Sequence, residues 1–167
     1  MPKSDQGIDN TRYQLIPRTL VFITNADDVL LLKGAETKRI WPGLYNGIGG
    51  HLEQGEDALS AARRELLEET GLPVRDLYLC GTLIVDASPG LGIGLYIFHG
   101  EYGGGILKSS IEGSLEWHAV SQIEHLPLVE DLRILLPRVL SMRFGDPPFS
   151  ARSFYDGNDQ LKVVFAE

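Results

Sequence analysis

The chain has 167 residues, 43% of them hydrophobic, and carries 15 Lys and Arg against 23 Asp and Glu for a formal net charge of −8. That length suits one compact domain around a single core. The acidic balance argues against sequence-independent binding to a nucleic acid polymer, which relies on Lys and Arg to neutralise phosphates. It leaves room for a phosphorylated small molecule if bound cations reverse the local field.

Residues 1–14, MPKSDQGIDNTRYQ, are polar and read as a tail without the apolar stretch of a secretory signal. TLVFIT (19–24) and VLLLK (29–33) are β-rich runs joined by NADD, the pattern of a hairpin. No apolar run approaches the roughly 20 residues that span a bilayer, so no membrane association is expected. The glycine-crowded stretch GAETKRIWPGLYNGIGGHLEQGED (34–57) predicts loops around one short strand, with backbone open to close approach by a ligand.

Residues 57–70 form the clearest helix, rich in Ala, Leu, Arg and Glu, with acids in its first turn and Gly71 where a C-terminal cap belongs. Strand-like runs follow at 77–86, 95–101 and 115–118, separated by SPGLG and GGG. Val129, Leu132, Leu135, Leu136, Val139 and Leu140 recur at helical spacing and predict a helix over 129–142, which Pro137 should kink or split. SFYDGNDQLKVVF reads as a terminal hairpin about its DG turn. Cys80, the only cysteine, permits no intrachain disulfide and suits a reducing, cytoplasmic setting.

The helix at 57–70 carries the candidate chemistry. Glu65, Glu68 and Glu69 stand at i, i+3 and i+4, so their carboxylates leave one face. Ala58, Ala61 and Ala62 occupy the turns before them and are expected to leave that face low and open. Like charges at this spacing cost roughly 0.2–0.5 kcal/mol per pair. A solvated acidic surface, neutralised in part by Arg63 and Arg64, is one explanation; a metal site is the other. The glycine loop directly before the helix favours the second, because carboxylates and backbone carbonyls are the hard oxygen ligands that Mg²⁺ or Mn²⁺ prefers. Such metals bridge phosphate oxygens and acidify water, which points to hydrolysis at phosphate.

Gly50, Glu56, Arg64, Glu65, Leu66, Glu68, Glu69, Gly71 and Leu72 resemble, position for position, the Nudix box, GX5EX7REUXEEXGU with U aliphatic. The resemblance implies an α/β (α+β) Nudix fold, an α/β/α sandwich around a mixed sheet, here in a single domain over 15–167. It implies a Mg²⁺ or Mn²⁺ site in which Glu65 and Glu69 are ligands, Glu68 binds a further metal or orients water, and the Gly49 carbonyl completes the set. Gly50, Glu56, Arg64 and Gly71 would then be structural, with Arg64 pairing with box carboxylates.

Over 19–165 the chain is also similar to the Nudix branch of oxidised-purine nucleoside triphosphatases that includes 8-oxo-dGTP diphosphatase. That similarity places Asn46 on a base-contacting asparagine, and an amide both donates and accepts. It places Glu112 on a loop glutamate that binds metal or activates water, with Glu116 as the rival. Glu130 and Asp131 fall on acids that recognise the base, although helix N-terminal charge is an alternative role for them. Thr19 and Lys33 fall on positions lining the nucleotide site. The chain departs from the branch at Leu128, which stands in place of a base-stacking tryptophan, and at Val85 and Ala87, which replace pocket phenylalanines. Trp41, Trp117 and the tyrosines are expected to pack, and His51 to be a loop residue without a chemical role.

The expected activity is hydrolysis of a nucleoside triphosphate, a purine form first, to monophosphate and pyrophosphate by a monomer or homodimer. The alternatives are a Nudix hydrolase of ADP-ribose or a nucleotide sugar, and a catalytically silent nucleotide-sensing module. The intact set of box carboxylates stands against the last.

Overall fold

In the computed structural model, residues 7, 9, 11–37, 39–108 and 113–167 are described. β1 (Gln14–Asn25) and β2 (Asp28–Gly34) form the expected hairpin, but they pair only at Ile23↔Leu30, Thr24↔Val29 and Asn25↔Asp28 before they diverge. β6 (Gly113–Ala119) occupies one edge of β2 along its whole length. The gap on the other edge is filled by β3 (Tyr45–Asn46), which pairs with Leu32 and Lys33 of β2. The chain just after β3 bridges back to β1 through Val21↔Ile48 and Arg18↔His51. The glycine-rich segment is therefore wedged into a split in the sheet.

Beyond β1 the sheet continues through β5 (Leu91–Glu101), β4 (Leu77–Ser88), β7 (Phe149–Tyr155) and β8 (Leu161–Phe165). β5 runs parallel to β1 and β7 parallel to β4, while the other pairs are antiparallel, so the sheet is mixed.

Alternation along β1 distributes the two cores. Val21 and Ile23 face α1 (Ala58–Thr70) and pack with Leu30, Ile48, Ala62, Leu66 and Phe98. Leu20 and Phe22 point the other way, into a cluster with Leu83, Ile97 and the Leu132, Leu135 and Val139 side chains of α2 (Leu132–Leu140). A helix on each face of a mixed sheet is the expected sandwich, and no helix among the described residues is long and apolar enough to cross a membrane.

Several elements differ from expectation. β1 starts at Gln14 and β5 at Leu91, earlier than the apolar runs suggest, because the two strands satisfy each other in parallel from Gln14↔Leu91 onward. That pairing is non-local and leaves no alternating signature in QLIPR or in the glycines of LGIG. α2 is shorter than expected and keeps Pro137 inside one helix rather than dividing there. A 3₁₀ helix at Val120–His125 was not foreseen.

Leu66 is completely buried between α1 and the sheet. Leu66→Ala should lower unfolding free energy by about 2–5 kcal/mol, the usual cost of such a cavity, read as a lower urea midpoint. An unchanged midpoint would contradict the packing of α1 on this face.

Candidate functional site

Both ends of α1 are locked. Asp57 accepts hydrogen bonds from the Leu59 and Ser60 N–H groups, and Gly71, at φ 74°, closes the other end through its N–H to the Leu67 carbonyl. This frame fixes which way Glu65, Glu68 and Glu69 leave the helix.

Opposite them lies the glycine segment. Thr19 N–H donates to the Gly50 carbonyl at 2.8 Å and Val21 N–H to the Ile48 carbonyl at 2.7 Å, which holds the segment against β1. Gly49 has φ 148°, and a β-carbon there would run into the Thr19 carbonyl. A β-carbon on Gly50 would run into the Glu65 carboxylate. The Gly49 N–H donates to Glu69 Oε2 at 3.3 Å. Gly49 thus fits against the β1 backbone where a side chain would clash, and Gly50 lets the segment lie directly on the Glu65 carboxylate.

The three glutamates are not equivalent. The Glu65 side chain is 15% exposed and that of Glu68 59%, while Glu69 is buried beneath the loop. Ala61 and Ala62 are fully buried, so the expectation of a low, open face before the acids does not hold. The sheet covers that turn, and the opening lies between the carboxylates and the glycines.

Arg64 ties these parts together. Its Nε and Nη2 donate to the two oxygens of Glu56 at 2.7 and 2.9 Å, and Nη2 also donates to the His51 carbonyl at 3.0 Å. Its Nη1 donates to Glu65 Oε1 at 2.9 Å and to Glu68 Oε2 at 3.2 Å. The Arg64 guanidinium, with help from the Glu53 N–H, pulls the Glu56 carboxyl down to about 2. The Glu56 and Glu65 carboxylates in turn raise the Arg64 guanidinium above its already high ordinary value. Arg64 thus compensates the Glu65 and Glu68 charges on the helix face, while Glu69 accepts from the Gly49 N–H.

Glu65, Glu68, Glu69, Gly49 and Gly50 line a cleft of about 820 Å³ that is also lined by Thr19, Asn46 and Asp131. Thr19 is 3% exposed, and its Oγ1 has no hydrogen-bond partner among the described residues. Asn46 Oδ1 accepts from the Gly47 N–H at 2.8 Å, which leaves the amide N–H groups for a ligand. Asp131 begins α2, yet its side chain makes no capping hydrogen bond. Burial, and secondarily Glu130, raises its carboxyl above the ordinary range.

Other expected site residues lie elsewhere. Glu130 is exposed and accepts from the Tyr155 hydroxyl at 3.2 Å, outside the cleft lining. Lys33 is likewise outside the lining, its ammonium 5.7 Å from the Tyr45 ring centroid. Glu112 lies outside the described residues. Its rival Glu116 is engaged in bracing: it accepts from the Tyr45 hydroxyl at 2.6 Å and from Ser114 Oγ at 2.9 Å, and His118 Nε2 stands 3.4 Å away. Tyr45 in turn takes up the Pro127 carbonyl and the Val129 N–H through its backbone, joining the strand that carries Asn46 to the segment that leads to Asp131.

Sequence reasoning passed over Arg18, Arg39 and Glu53, which also line the cleft, and assigned other roles to His51 and Trp41, which line it too. His51 accepts from Arg18 Nε at 3.1 Å. Trp41 does not pack in a core; it is 47% exposed. A tryptophan set among Gly and Pro, without strand or helix periodicity around it, was the available signal.

Hard oxygen donors are what the site offers a cation: the carboxylates of Glu65 and Glu69 beside the Gly49 backbone fit Mg²⁺ or Mn²⁺. Among the described residues no three Asp, Glu, His or Cys side chains are already gathered as a metal group.

Because Glu56 is held at about 2 instead of its ordinary 4.5, its pairing with Arg64 stabilises the fold above pH 4.5 and that contribution fades as pH falls toward 2. Glu56→Gln should therefore lower the thermal midpoint by a few degrees at pH 7, with the difference from the parent protein narrowing on acidification. A difference that stays constant or widens on acidification would contradict the pairing.

The model of the NUDIX domain matches residues 14–139. The oxidized purine nucleoside triphosphate hydrolase of Mus musculus is 32% identical over 127 residues, covering 75% of this chain and 80% of that protein. The NAD-capped RNA hydrolase NudC of Pseudomonas syringae pv. tomato is 28% identical over 144 residues, 83% of this chain; the chain spans 50% of the length of that relative. Among solved structures, the mutator MutT protein from Bacillus halodurans superposes with a TM-score of 0.76 at 26% identity, covering 90% of this chain and 97% of that one. The NUDIX domain of Shewanella oneidensis NrtR, solved with ADP ribose, shares the fold at 14% identity, with a TM-score of 0.67 over 84% of this chain and 97% of that one. With its complete box, its matching domain model and its shared fold, this chain belongs to the Nudix family.

Proposed function

We propose that this chain hydrolyses the phosphoanhydride bond of a nucleoside triphosphate, a purine form first, to the monophosphate and pyrophosphate, with Mg²⁺ or Mn²⁺. The observation that carries this reading is that one cleft is lined both by the box carboxylates with Gly49 and by Asn46 and Asp131. Its volume, about 820 Å³, is in the range of small-molecule sites. The name of the mouse relative supports the purine triphosphate as first choice.

The cation would be held by Glu65, Glu69 and the Gly49 carbonyl. When bound, it supplies Lewis acidity to phosphate oxygens and lowers the pKa of water. Glu68, the exposed member of the set, takes a proton from the attacking water, with Glu112 as the second candidate for that step. Arg64 touches no substrate in this scheme and positions Glu65 and Glu68. Asn46 donates to an acceptor on the base edge. Asp131, whose carboxyl burial raises above the ordinary range, is the second polar group offered to the base edge. Thr19 Oγ1 gives its unused hydrogen bond to the nucleotide.

A second reading, hydrolysis of ADP-ribose or a related nucleoside diphosphate compound, draws support from Leu128. It is buried in the core and offers the cleft no aromatic ring, and several relatives bear the name NAD-capped RNA hydrolase. A silent nucleotide-sensing module ranks below both, since every box carboxylate is present. The buried Cys80, its thiol pushed up to about 12 by burial, is an inert group suited to a cytoplasmic protein.

Turnover of ordinary and oxidised purine triphosphates, ADP-ribose and nucleotide sugars, ranked by kcat/KM with product analysis, tests the assignment. Monophosphate plus pyrophosphate is expected; a sugar phosphate plus a nucleoside monophosphate would transfer it to the second reading. Chelation should abolish turnover and Mg²⁺ or Mn²⁺ restore it. Glu69→Gln should lower kcat by roughly 100-fold or more with circular dichroism unchanged, on the scale of losses seen when a metal site is disturbed. A fully active variant would remove this helix from the mechanism.

A further inference from the structure

Among the described residues that line the cleft, Trp41 is the one Phe, Tyr or Trp. The remaining apolar wall is aliphatic, including Val85, Ile93, Leu95 and Leu132. Trp41 leaves 47% of its surface exposed, although an indole usually gains by burial.

Its backbone stands at φ 56°, a left-handed conformation that bulky residues avoid. Residues held in such conformations concentrate at ligand clamps, where the surrounding structure enforces them. Here the enforcement is visible. Leu44 N–H donates to the Trp41 carbonyl at 3.3 Å, Gly43 N–H to the Gly34 carbonyl at 3.0 Å, and Gly34 N–H to the Leu44 carbonyl at 3.0 Å. Immediately after this turn, Tyr45 and Asn46 pair with Lys33 and Leu32. The turn that displays the indole is thus tethered to the strand that presents Asn46.

An exposed, positioned indole in a cleft whose other apolar lining is aliphatic suits a flat aromatic ligand. We propose that Trp41 is the surface on which the substrate's nucleobase stacks, and that it selects base-bearing over base-free phosphoanhydrides. The proposal rests on the nucleotide reading above and names a contact which that reading lacks. Stacking tolerates any base, since each has a π face. Trp41 therefore selects for the presence of a base, while Asn46 and Asp131 discriminate among bases.

The chain holds two tryptophans. Trp117 packs edge-on against Tyr102 at 5.3 Å between ring centroids, so Trp117→Phe leaves Trp41 as the sole indole. In that variant, with Ca²⁺ replacing Mg²⁺ to slow turnover, dGTP or ADP-ribose should quench the fluorescence and inorganic tripolyphosphate should not. Trp41→Ala should raise KM for whichever of the two the parent protein turns over by about ten-fold with kcat within about two-fold, the scale of one base–aromatic contact. Trp41→Phe should recover most of the loss, and the inhibition constant of tripolyphosphate should not move. An unchanged KM in Trp41→Ala, an absence of quenching, or equal weakening of tripolyphosphate would overturn the proposal. If the parent turns over nucleotides and Trp41→Ala matches it, stacking alone fails. If the parent neither binds nor turns over any nucleoside compound, the nucleotide reading fails and the proposal with it.

Discussion

Arg64 is the residue on which the geometry of the acidic face depends. One guanidinium donates to Glu56, Glu65, Glu68 and the His51 carbonyl, joining the entry loop, the helix and the glycine segment at one point. Without a cation in that position, α1 would present neighbouring carboxylates to one another across i, i+3 and i+4 spacings, each an unfavourable contact. A planar fork with several fixed donors can serve all of these acceptors, whereas the single ammonium of a lysine could not hold the same directions. Arg64 thereby lets Glu65 remain close beneath Gly50 with little solvent to screen its charge.

The sheet supplies the other half of the site. Because β1 and β2 part company after three paired positions, a short strand and two glycines are admitted between them. The split orients backbone toward the helix, and the close approach of Gly49 and Gly50 follows from the absence of β-carbons there. On the neighbouring flank, the Glu116–Tyr45 hydrogen bond stabilises the strand that carries Asn46 and, through backbone contacts to Pro127 and Val129, the approach to Asp131. A chain of hydrogen bonds through Glu116, Tyr45, Pro127 and Val129 thus connects the two residues assigned to base recognition, and none of Glu116, Tyr45 and Pro127 lines the cleft.

Much of this was legible in the residues, for physical reasons. α1 declares itself by composition and by Gly71, and the box by spacing that places glutamates on one helical face. The paired apolar faces of β1 follow from alternation. What stayed hidden depends on contacts distant in sequence. The start of β1 at Gln14 is set by a parallel partner some 77 positions away. Glu130 and Asp131 are adjacent in sequence yet diverge, one toward Tyr155 and one into the cleft, and no pattern distinguishes them beforehand. Trp41 looked like a packing residue because exposure is decided by a turn whose left-handed backbone composition does not reveal. Ala61 and Ala62 looked like an open face because the sheet that covers them comes from elsewhere in the chain.

Glu65 and Glu69, beneath the glycine segment, are the proposed holders of the divalent cation. Binding of Mn²⁺, followed by electron paramagnetic resonance of the free ion, tests this without reference to any substrate. The parent protein should bind Mn²⁺, and the Glu65→Gln, Glu69→Gln double variant, folded as judged by circular dichroism, should lose that binding. Equal affinity in the two proteins would contradict the assignment and place the metal elsewhere.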